Sequence, residues 1–273
     1  MSHYAIFGDP VAHSKSPLMH NLAFRALGID ACYGRHRLAD GGVLRQTFFA
    51  LGLSGANITV PHKEAAFAAC DTLDPFAQKV GAVNTIVRRG NLLHGYNTDA
   101  PGFLKAIEPF GARKVLFVGA GGTAQSTAII LREAGYDVTI LNRSEGRLEK
   151  FKTQGFTTHT HATIFPASTS STLPPVPRFD LIVNMTSAGL TDESLPAPKP
   201  ILDTLIPQAK ACIDVIYGHN TPFLQLAKSH DKPTADGSEM LLQQGVIAFD
   251  LFTGGKYKPE EIERAMRRVF EIG

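Results

Sequence analysis

Several sequence features are missing from this chain, and each absence excludes a class of protein. No block of lysines or arginines occurs, and 27 basic residues against 25 acidic ones leave a net charge of only +2. A nucleic-acid-binding surface is therefore not expected. No window reaches the roughly 18 apolar residues that a membrane-spanning helix needs. The N-terminal residues show neither the basic region nor the apolar stretch of a signal peptide, so we expect neither secretion nor a membrane partner.

The chain is also poor in cysteine, and this limits its metal and disulfide chemistry. Cys32, Cys70 and Cys212 are far apart in the sequence, without metal-ligand spacing and without an even set for disulfides. A reducing, cytoplasmic compartment is the expected location. His159 and His161 alternate as metal ligands can, but no Cys, Asp or third His stands near them. A surface strand explains this pair better, and no metal site is predicted.

Strand-like and helix-like segments alternate along the 273 residues. This alternation predicts an α/β fold with mainly parallel sheets, and the length is comfortable for two domains. Residues 157–177, rich in Ser, Thr and Pro, are predicted to be mostly loop. The predicted strands are 3–8, 31–38, 55–60, 83–87, 92–96, 114–118, 137–141, 180–184 and 211–215. The predicted helices are 16–27, with Ser16 as its N-cap, and 62–70, 100–108, 123–134, 238–254 and 259–271.

A glycine loop in the middle of the chain is the most informative local feature. The loop Gly119-Ala120-Gly121-Gly122 directly follows the apolar run 114–118 and precedes the predicted helix 123–134. A strand, a glycine turn and a helix N-terminus together form an anion site, because free N–H groups and the helix dipole point at a pyrophosphate. The glycine pattern alone is weak evidence, since it also occurs in ordinary turns.

The end of the next strand specifies which dinucleotide is expected. Residues 137–141 are followed by Asn142-Arg143-Ser144, where an NAD-binding protein would carry an acid on the ribose hydroxyl. An arginine there accommodates a 2′-phosphate, and Arg147 follows one helical turn later. The sequence therefore predicts NADP(H) as cofactor, with an ordinary exposed arginine as the alternative.

About 110 residues precede this cofactor-binding region, and a dehydrogenase needs a second lobe for its substrate. Ligands bind at the carboxyl ends of parallel strands, so reactive residues are expected just after strands of the first domain. Polar side chains at these positions suit a small ligand with several hydroxyls, since each hydroxyl needs a donor and an acceptor. Four segments provide them: residues 14–17, 61–63, 81–85 and 97–99.

The ordered set of motifs resembles the shikimate dehydrogenase family nearly from end to end. Each motif by itself is modest evidence, and the set in this order is specific. The motifs are Ser14-Lys15-Ser16-Pro17, Asn57-Ile58-Thr59-Val60-Pro61-His62-Lys63, Gly81-Ala82-Val83-Asn84-Thr85, Asn97-Thr98-Asp99, Gly119-Ala120-Gly121-Gly122, Asn142-Arg143-Ser144, Asn184-Met185-Thr186-Ser187-Ala188-Gly189 and Met240-Leu241-Leu242-Gln243-Gln244.

The resemblance implies a role for individual residues. Lys63 would be the catalytic acid and base, working beside Asp99. The residues implied in substrate binding are Ser14 and Ser16 for the carboxylate, and Thr59, Asn84, Asp99 and Gln244 for the ring hydroxyls, with Tyr217 nearby. The residues implied in cofactor binding are Gly119, Ala120, Gly121, Gly122 and Thr123 for the pyrophosphate, Asn142, Arg143, Ser144 and Arg147 for the 2′-phosphate, and Val215 and Gly237 for the nicotinamide.

The resemblance also implies the fold and the reaction. Residues 1–106 and 238–273 would form an open, mainly parallel α/β substrate domain, separated by a cleft from a Rossmann-type NADP-binding domain at 107–237. The reaction would be the reversible reduction of 3-dehydroshikimate to shikimate with NADP, in the biosynthesis of aromatic amino acids. The implied partner is the small-molecule substrate alone, and the oligomeric state stays open, a homodimer included.

Alternatives remain at this point. A quinate/shikimate dehydrogenase of the same fold is the nearest one, and such enzymes often use NAD, against which Asn142-Arg143 argues. A catalytically silent NADP-binding sensor is a second, against which the presence of both Lys63 and Asp99 argues. Taken one by one, Lys63 could be a solvated surface residue and Asp99 could cap the helix 100–108.

Overall fold

A computed structural model describes residues 1–165 and 178–272. The chain forms two compact units, a first unit of Met1–Gly102 with Leu241–Gly273 and a second unit of Phe103–Met240. Each unit is built around its own six-stranded sheet, which confirms the predicted α/β class. Residues 166–177, part of the predicted loop-rich segment, lie outside the described residues.

The described residues contain the following strands and helices. The strands are β1 (Ser2–Gly8), β2 (Ala31–Arg37), β3 (Gly55–Ile58), β4 (Thr72–Leu73), β5 (Thr85–Arg89), β6 (Leu92–Tyr96), β7 (Lys114–Val118), β8 (Asp137–Asn142), β9 (Thr157–Thr160), β10 (Leu181–Asn184), β11 (Ala211–Asp214) and β12 (Thr234–Ala235). The α-helices are α1 (Ser16–Ala26), α2 (Leu44–Ala50), α3 (Lys63–Ala69), α4 (Pro75–Val80), α5 (Asp99–Ile107), α6 (Gly122–Glu133), α7 (Glu149–Thr153), α8 (Lys199–Leu205), α9 (Pro222–Ser229), α10 (Ser238–Thr253) and α11 (Pro259–Arg267).

The sheet of the first unit has the strand order β2-β1-β3-β5-β6-β4. Its strands pair in parallel except at β5, which runs antiparallel to both β3 and β6. Strands β5 and β6 form a hairpin, and β5 begins at Thr85, two residues after the predicted start. The turn contains Gly90 with a φ of +62°, a conformation that glycine adopts without steric cost.

The two faces of this sheet bury separate hydrophobic clusters, as the alternation of side chains along β1 requires. Tyr4 and Ile6 pack into a cluster with α1, α10 and α11, whereas Ala5 and Phe7 pack into a cluster with α2 and α3. The helices therefore cover both faces and leave the ends of the strands for polar side chains.

The sheet of the second unit is parallel throughout and has the order β9-β8-β7-β10-β11-β12. Counted from β7, this is the order 3-2-1-4-5-6 of the doubly wound dinucleotide-binding fold. The direction of winding reverses between β7 and β10, and ligands of such sheets bind outside the carboxyl ends of the strands at this point. The glycine loop that follows β7 lies there.

Two local predictions need correction. Helix α1 has Lys15 as its N-cap, without a side-chain hydrogen bond, so the prediction that Ser16 caps it is wrong. Ser16 belongs to the first turn, where Pro17 also lies, since the fixed φ of proline and its missing N–H suit that turn. Strand β3 ends at Ile58, not at Val60, because Val60 has left the sheet edge and is 65% exposed.

Candidate active site

A short ion pair joins two elements of the first unit. Lys63 is the first residue of α3 and Asp99 the first residue of α5. The Lys63 Nζ lies 2.5 Å from the Asp99 Oδ2, and the two side chains are 24% and 15% exposed. Both groups are thus held together without being sealed from solvent. An ammonium and a carboxylate in this state can exchange protons with a bound molecule.

The turn before α5 leaves the Asp99 carboxylate to Lys63. The N–H of Ala100 donates to Asn97 Oδ1 at 3.3 Å, and the N–H of Gly102 donates to the carbonyl of Thr98 at 3.0 Å. The alternative that Asp99 caps this helix is therefore wrong, because Asn97 supplies the side-chain acceptor.

A network of buried polar side chains also holds the turn that precedes α5. The Tyr33 hydroxyl donates to Asn57 Oδ1 at 2.6 Å, and Asn57 Nδ2 donates to Thr85 Oγ1 at 2.9 Å. Thr85 Oγ1 lies 3.1 Å from Thr98 Oγ1. Asn84 is the last residue of this network. Its Oδ1 accepts from the Thr98 N–H at 2.7 Å, and its Nδ2 donates to the Thr98 hydroxyl at 3.0 Å. The network thus sets the position of Asn84 and of the residue before Asp99.

Sequence reasoning found only one end of this network. Asn57 stands inside the predicted strand 55–60, and no role was predicted for it. Tyr33 stands in β2, and burial raises the pKa of its hydroxyl well above the usual value. The hydroxyl therefore keeps its proton and acts as a donor. The detectable signal was an Asn in a strand that precedes Thr59, a predicted site residue.

The predicted serines lie at the start of α1, where an arginine distant in the sequence holds the residue before the helix. Ser14 and Ser16 are both buried, and the N–H of Ser16 donates to Ser14 Oγ at 3.2 Å. Arg35 on β2 donates to the carbonyl oxygen of Ser14 from Nη2 at 2.6 Å and from Nε at 3.1 Å. Arg35 was not among the predicted residues, because its partner is a main-chain atom that the sequence pattern does not reveal.

Gln244 and Thr59 complete the predicted polar set of the first unit. Gln244 Nε2 donates to the carbonyl of Leu241 at 2.7 Å, which fixes its side chain along α10. Gln244 is 8% exposed, so its amide is nearly buried. The N–H of Thr59 donates to the carbonyl of Phe7 at 2.8 Å, which leaves its partly buried side chain at the end of β3.

His62 is a neighbour of Lys63 without a free ring edge. It is 4% exposed, and its Nε2 lies 2.5 Å from the carbonyl oxygen of Leu38. A Cβ built on Gly41 would come within 2.9 Å of His62 Nδ1, so the ring is packed on its other side as well. This ring cannot reach a substrate.

The glycine loop of the second unit has the geometry of an anion site. Gly119 has a φ of +117°, and a Cβ built on it would lie 2.6 Å from Thr186 Cγ2 and 3.1 Å from the backbone of Met185. A Cβ on Gly121 or Gly122 would meet no atom within 4 Å. The loop is therefore tight where it passes the 185–186 segment and open where α6 begins. The open first turn of a helix offers N–H groups to a phosphate.

The segment after β8 provides two cations. Asn142 Nδ2 donates to the carbonyl of Ser144 at 2.8 Å, which closes the turn. Arg143 and Arg147 are exposed, and within residues 1–165 and 178–272 neither guanidinium makes a hydrogen bond or an ion pair. Together with Asn142 they line a cavity of about 780 Å³. These groups fit a 2′-phosphate, which needs donors and positive charge.

A second network of buried polar side chains connects the ends of β10 and β11. The Asp214 carboxylate is fully buried and accepts from Asn184 Nδ2 at 2.9 Å, from the Thr221 hydroxyl at 2.7 Å and from the N–H of Ile216 at 3.0 Å. Burial raises the pKa of Asp214 above its usual value, although these donors oppose the shift. Asn184 Oδ1 in turn accepts from the hydroxyl of Thr186 at 2.7 Å. The network fixes the loops after β10 and β11.

Val215 and Gly237 lie directly against each other, as a shared contact region would require. A Cβ on Gly237 would overlap the carbonyl oxygen of Val215, so only glycine fits. Both residues line an apolar cavity of about 230 Å³ inside the second unit, together with Phe103 and Met240. Tyr217 follows in the same unit and is partly buried.

The described part of the chain contains no cluster of three or more metal-ligating side chains, and none of its helices is long and apolar enough to cross a membrane. The ring of His161 also lines the cavity at Arg143 and Arg147.

Comparison with known proteins gives consistent matches over the whole length. The sequence model of the shikimate dehydrogenase substrate binding domain matches residues 6–86, and that of ketopantoate reductase matches residues 115–206. The shikimate dehydrogenase (NADP(+)) of Helicobacter hepaticus is 41% identical over 261 residues, which cover 95% of this chain and 94% of that protein. The Helicobacter pylori (strain P12) enzyme of the same name is 38% identical, with 98% of each chain covered.

Solved structures agree. The crystal structure of shikimate 5-dehydrogenase from Thermus thermophilus in complex with NADP(H) and shikimate superposes with a TM-score of 0.82 at 36% identity. The superposition covers 98% of this chain and 100% of that one.

Proposed function

The chain belongs to the shikimate dehydrogenase family, and from this we propose that it catalyses the reversible reduction of 3-dehydroshikimate to shikimate with NADP(H). The single observation that carries the proposal is the 2.5 Å contact of Lys63 with Asp99, two residues 36 positions apart. It lies in the unit whose sequence matches the substrate binding domain of this family.

The first unit would bind the substrate and the second unit NADP(H). The corresponding proposed domains are 1–106 with 238–273, and 107–237. The closed glycine turn at Gly119, the open amides of Gly121 and Gly122 and the exposed guanidinium groups after β8 support the cofactor assignment. The Helicobacter relatives carry NADP(+) in their names, and the Thermus thermophilus structure is a complex with NADP(H) and shikimate.

The polar groups of the first unit would recognise the substrate. Ser14, whose carbonyl oxygen accepts hydrogen bonds from Arg35, and Ser16 would bind its carboxylate. Thr59, Asn84, Asp99 and Gln244 would bind its ring hydroxyls, and Tyr217 of the second unit would add a further hydroxyl. Buried and hydrogen-bonded groups of this kind reject analogues that leave them unpaired, which gives a narrow substrate range.

Bound NADP(H) supplies hydride transfer at the C3 carbon of the substrate. Lys63 would donate a proton to the C3 oxygen in the direction of reduction and take it back in the direction of oxidation. Asp99 would hold the ammonium in place and accept a substrate hydroxyl. The pyrophosphate would bind at Gly119, Ala120, Gly121, Gly122 and Thr123, the 2′-phosphate at Asn142, Arg143, Ser144 and Arg147, and the nicotinamide at Val215 and Gly237.

We also propose a reducing, cytoplasmic location. Cys32, Cys70 and Cys212 are all free, and burial raises the pKa of Cys70 and of Cys212 to about 12, which keeps both as thiols. A homodimer is compatible with the proposed activity, and the molar mass in solution decides it.

A matrix of two cofactors and two substrates tests the proposal. Purified protein is given NADP⁺ or NAD⁺ with shikimate or quinate, and formation of the reduced nicotinamide is followed by absorbance. We expect the highest kcat/KM for NADP⁺ with shikimate. A preference for quinate with NAD⁺ would instead assign the quinate/shikimate activity. No turnover with any pair, in protein that still binds NADP⁺, would indicate a sensor.

A further inference from the structure

The register of two parallel strands brings a histidine to the end of the cofactor strand. β8 and β9 pair with Asn142 opposite Thr160. The next residue of each strand, Arg143 and His161, therefore leaves the sheet at the same edge. Both line the cavity of about 780 Å³ that Arg147 also borders. The alternating histidines, which suggested only a surface strand, therefore differ: His161 lines this cavity and His159 does not.

The imidazole of His161 is incompletely satisfied within the protein. Its Nε2 is buried, and no residue that the structure describes gives it a hydrogen-bond partner. A buried polar nitrogen without a partner costs free energy. His159 differs, because its Nδ1 lies 3.1 Å from the carbonyl oxygen of Thr163. Of the two rings, only that of His161 combines an unmet nitrogen with a place in the cavity wall.

We propose that His161 is a further cofactor-binding residue, which acts with Arg143 and Arg147 on the 2′-phosphate of NADP(H) and so contributes to the preference over NAD(H). This inference rests on the proposed function, since it assumes that the cavity binds the 2′-phosphate end of the cofactor. The chemistry is that of a phosphate held by several cationic donors, in which each charged hydrogen bond is stronger than a neutral one.

The charges around the ring give His161 a defined protonation change. Burial is the main cause that lowers its pKa from the ordinary value, and the charge of Arg143 lowers it further. The ring is therefore neutral in the free protein near neutral pH. A phosphate dianion in the cavity reverses the local charge, which raises the pKa of the ring and favours uptake of a proton.

Three other charged side chains line the same cavity: Lys199, Asp192 and Glu193. Lys199 is 2.7 Å from Asp203, so its charge is compensated. Asp192 accepts from Ser194 Oγ at 2.6 Å and is held within its own turn. Glu193 also lines the cavity, but it is exposed, so solvent screens its charge.

The sign of the pH dependence follows from these shifts. The pKa of His161 is lower in the free protein than in the complex, so binding takes up a proton between the two values. The contribution of His161 to affinity therefore grows as the pH falls towards the free-protein pKa. The 2′-phosphate has its own pKa near 6 and loses charge over the same range, which weakens binding. A comparison of variant with wild-type protein at each pH cancels this second effect.

The experiment measures binding, not turnover. Adenosine 2′,5′-bisphosphate and NAD⁺ are titrated into wild-type protein, His161→Gln and the matched control His159→Gln by calorimetry near pH 6 and near pH 8.5. We expect His161→Gln to weaken the bisphosphate about tenfold near pH 6 and by a smaller factor near pH 8.5. NAD⁺ affinity, and both affinities of His159→Gln, should equal the wild-type values. His161→Arg should retain tight binding and lose the additional pH dependence.

The bisphosphate affinities test the role of His161, and the cofactor preference of the wild type tests the proposed function. Equal bisphosphate affinity of wild-type and His161→Gln at both pH values overturns the role of His161, while a wild-type preference for NADP⁺ over NAD⁺ would leave the proposed function intact. The absence of any such preference in the wild type would overturn the proposed cofactor itself. Thermal unfolding of all variants establishes that they fold, and if His161→Gln does not fold, His161→Arg carries the test through its pH dependence.

Discussion

Gly102 and Gln244 touch through their backbones, because a Cβ built on Gly102 would lie 2.6 Å from the main-chain nitrogen of Gln244. Helices α5 and α10 therefore approach each other more closely than any side chain at position 102 would permit. Asp99 begins the first of these helices, so the contact fixes how near Gln244 comes to the Lys63–Asp99 pair. The glycine was not predicted as part of the site, since nothing in its neighbours along the sequence indicates the crossing helix.

We expect Gly102→Ala to push α10 away from α5. The added methyl group meets rigid backbone, and overpacking of this kind costs about 1–3 kcal/mol of the free energy of unfolding. The KM for shikimate should rise as Gln244 moves, and the thermal midpoint should fall. Gly34→Ala in β2 is the matched control, since a Cβ there meets nothing within 4 Å. Unchanged KM and stability in Gly102→Ala would show that the helices can adjust without cost.

Lys63→Ala should lose about 10²–10⁴-fold in kcat, because a well-placed acid or base contributes this much. The change in shikimate KM should be smaller, since the ring hydroxyls keep their other partners. Steady-state rates at saturating shikimate and NADP⁺ measure both quantities. Glu64→Ala alters the next, exposed residue of α3 and should behave as wild type. A Lys63→Ala protein with near-normal kcat would contradict the assigned role.

Tyr33→Phe should disturb substrate binding from a distance. It removes the 2.6 Å hydrogen bond to Asn57 Oδ1 and leaves this buried acceptor without a donor, at a cost of about 1–3 kcal/mol. Because the network ends at Asn84, the shikimate KM should rise several-fold with little change in kcat. Tyr4→Phe is the control: its hydroxyl donates at 3.3 Å to the carbonyl of Phe252, outside the network. If both variants change KM equally, the network has no specific effect on the site.

His20 should make the first unit sensitive to acid. It is fully buried, stacks on Tyr33 at 4.4 Å, and burial lowers its pKa to about 3. Between the ordinary value of 6.5 and 3 the unfolded chain binds a proton that the folded chain does not. The free energy of unfolding therefore falls as the pH falls through this window, by up to about 1.4 kcal/mol per pH unit.

His20→Phe should remove this slope and leave stability near neutral pH unchanged or higher, because a ring of similar shape replaces two nitrogens that have no partner among the described residues. Urea denaturation at several pH values measures it. Phe249→Leu, in the same cluster, should lower stability by a similar amount at every pH. Identical slopes in wild type and His20→Phe would assign the acid sensitivity to other groups.

The parts of the fold that the sequence predicts are those whose signals are local. The run 114–118, the glycine loop and α6 follow one another in the sequence and needed no distant contact to be recognised. The short strands β4 and β12 have two residues each and form by pairing with β6 and β11. Two residues are too few for a sequence pattern to predict a strand. Helix α2 also escaped prediction, although Leu44 and Phe48 are fully buried, because seven residues are too few to show a clear helical repeat of apolar positions.

The site divides in the same way. Lys63 and Asp99 follow strands, and strand ends are where a parallel sheet places its ligands, so the sequence indicates them. Asn57 and Asp214 lie in apolar strands and act through partners in other elements, so their roles appear only in the folded chain. Ser16 was misread as a cap, since a Ser-Pro pair is compatible with two frames of the helix start.

Gly119 bears on attempts to engineer this protein. Its positive φ and its contact with Thr186 leave no room for a side chain, so libraries that randomise position 119 will mostly return destabilised protein. Diversity introduced at positions 143 and 147, whose side chains are exposed, meets no such barrier. Directed evolution of a preference for NAD(H) should therefore start at positions 143 and 147.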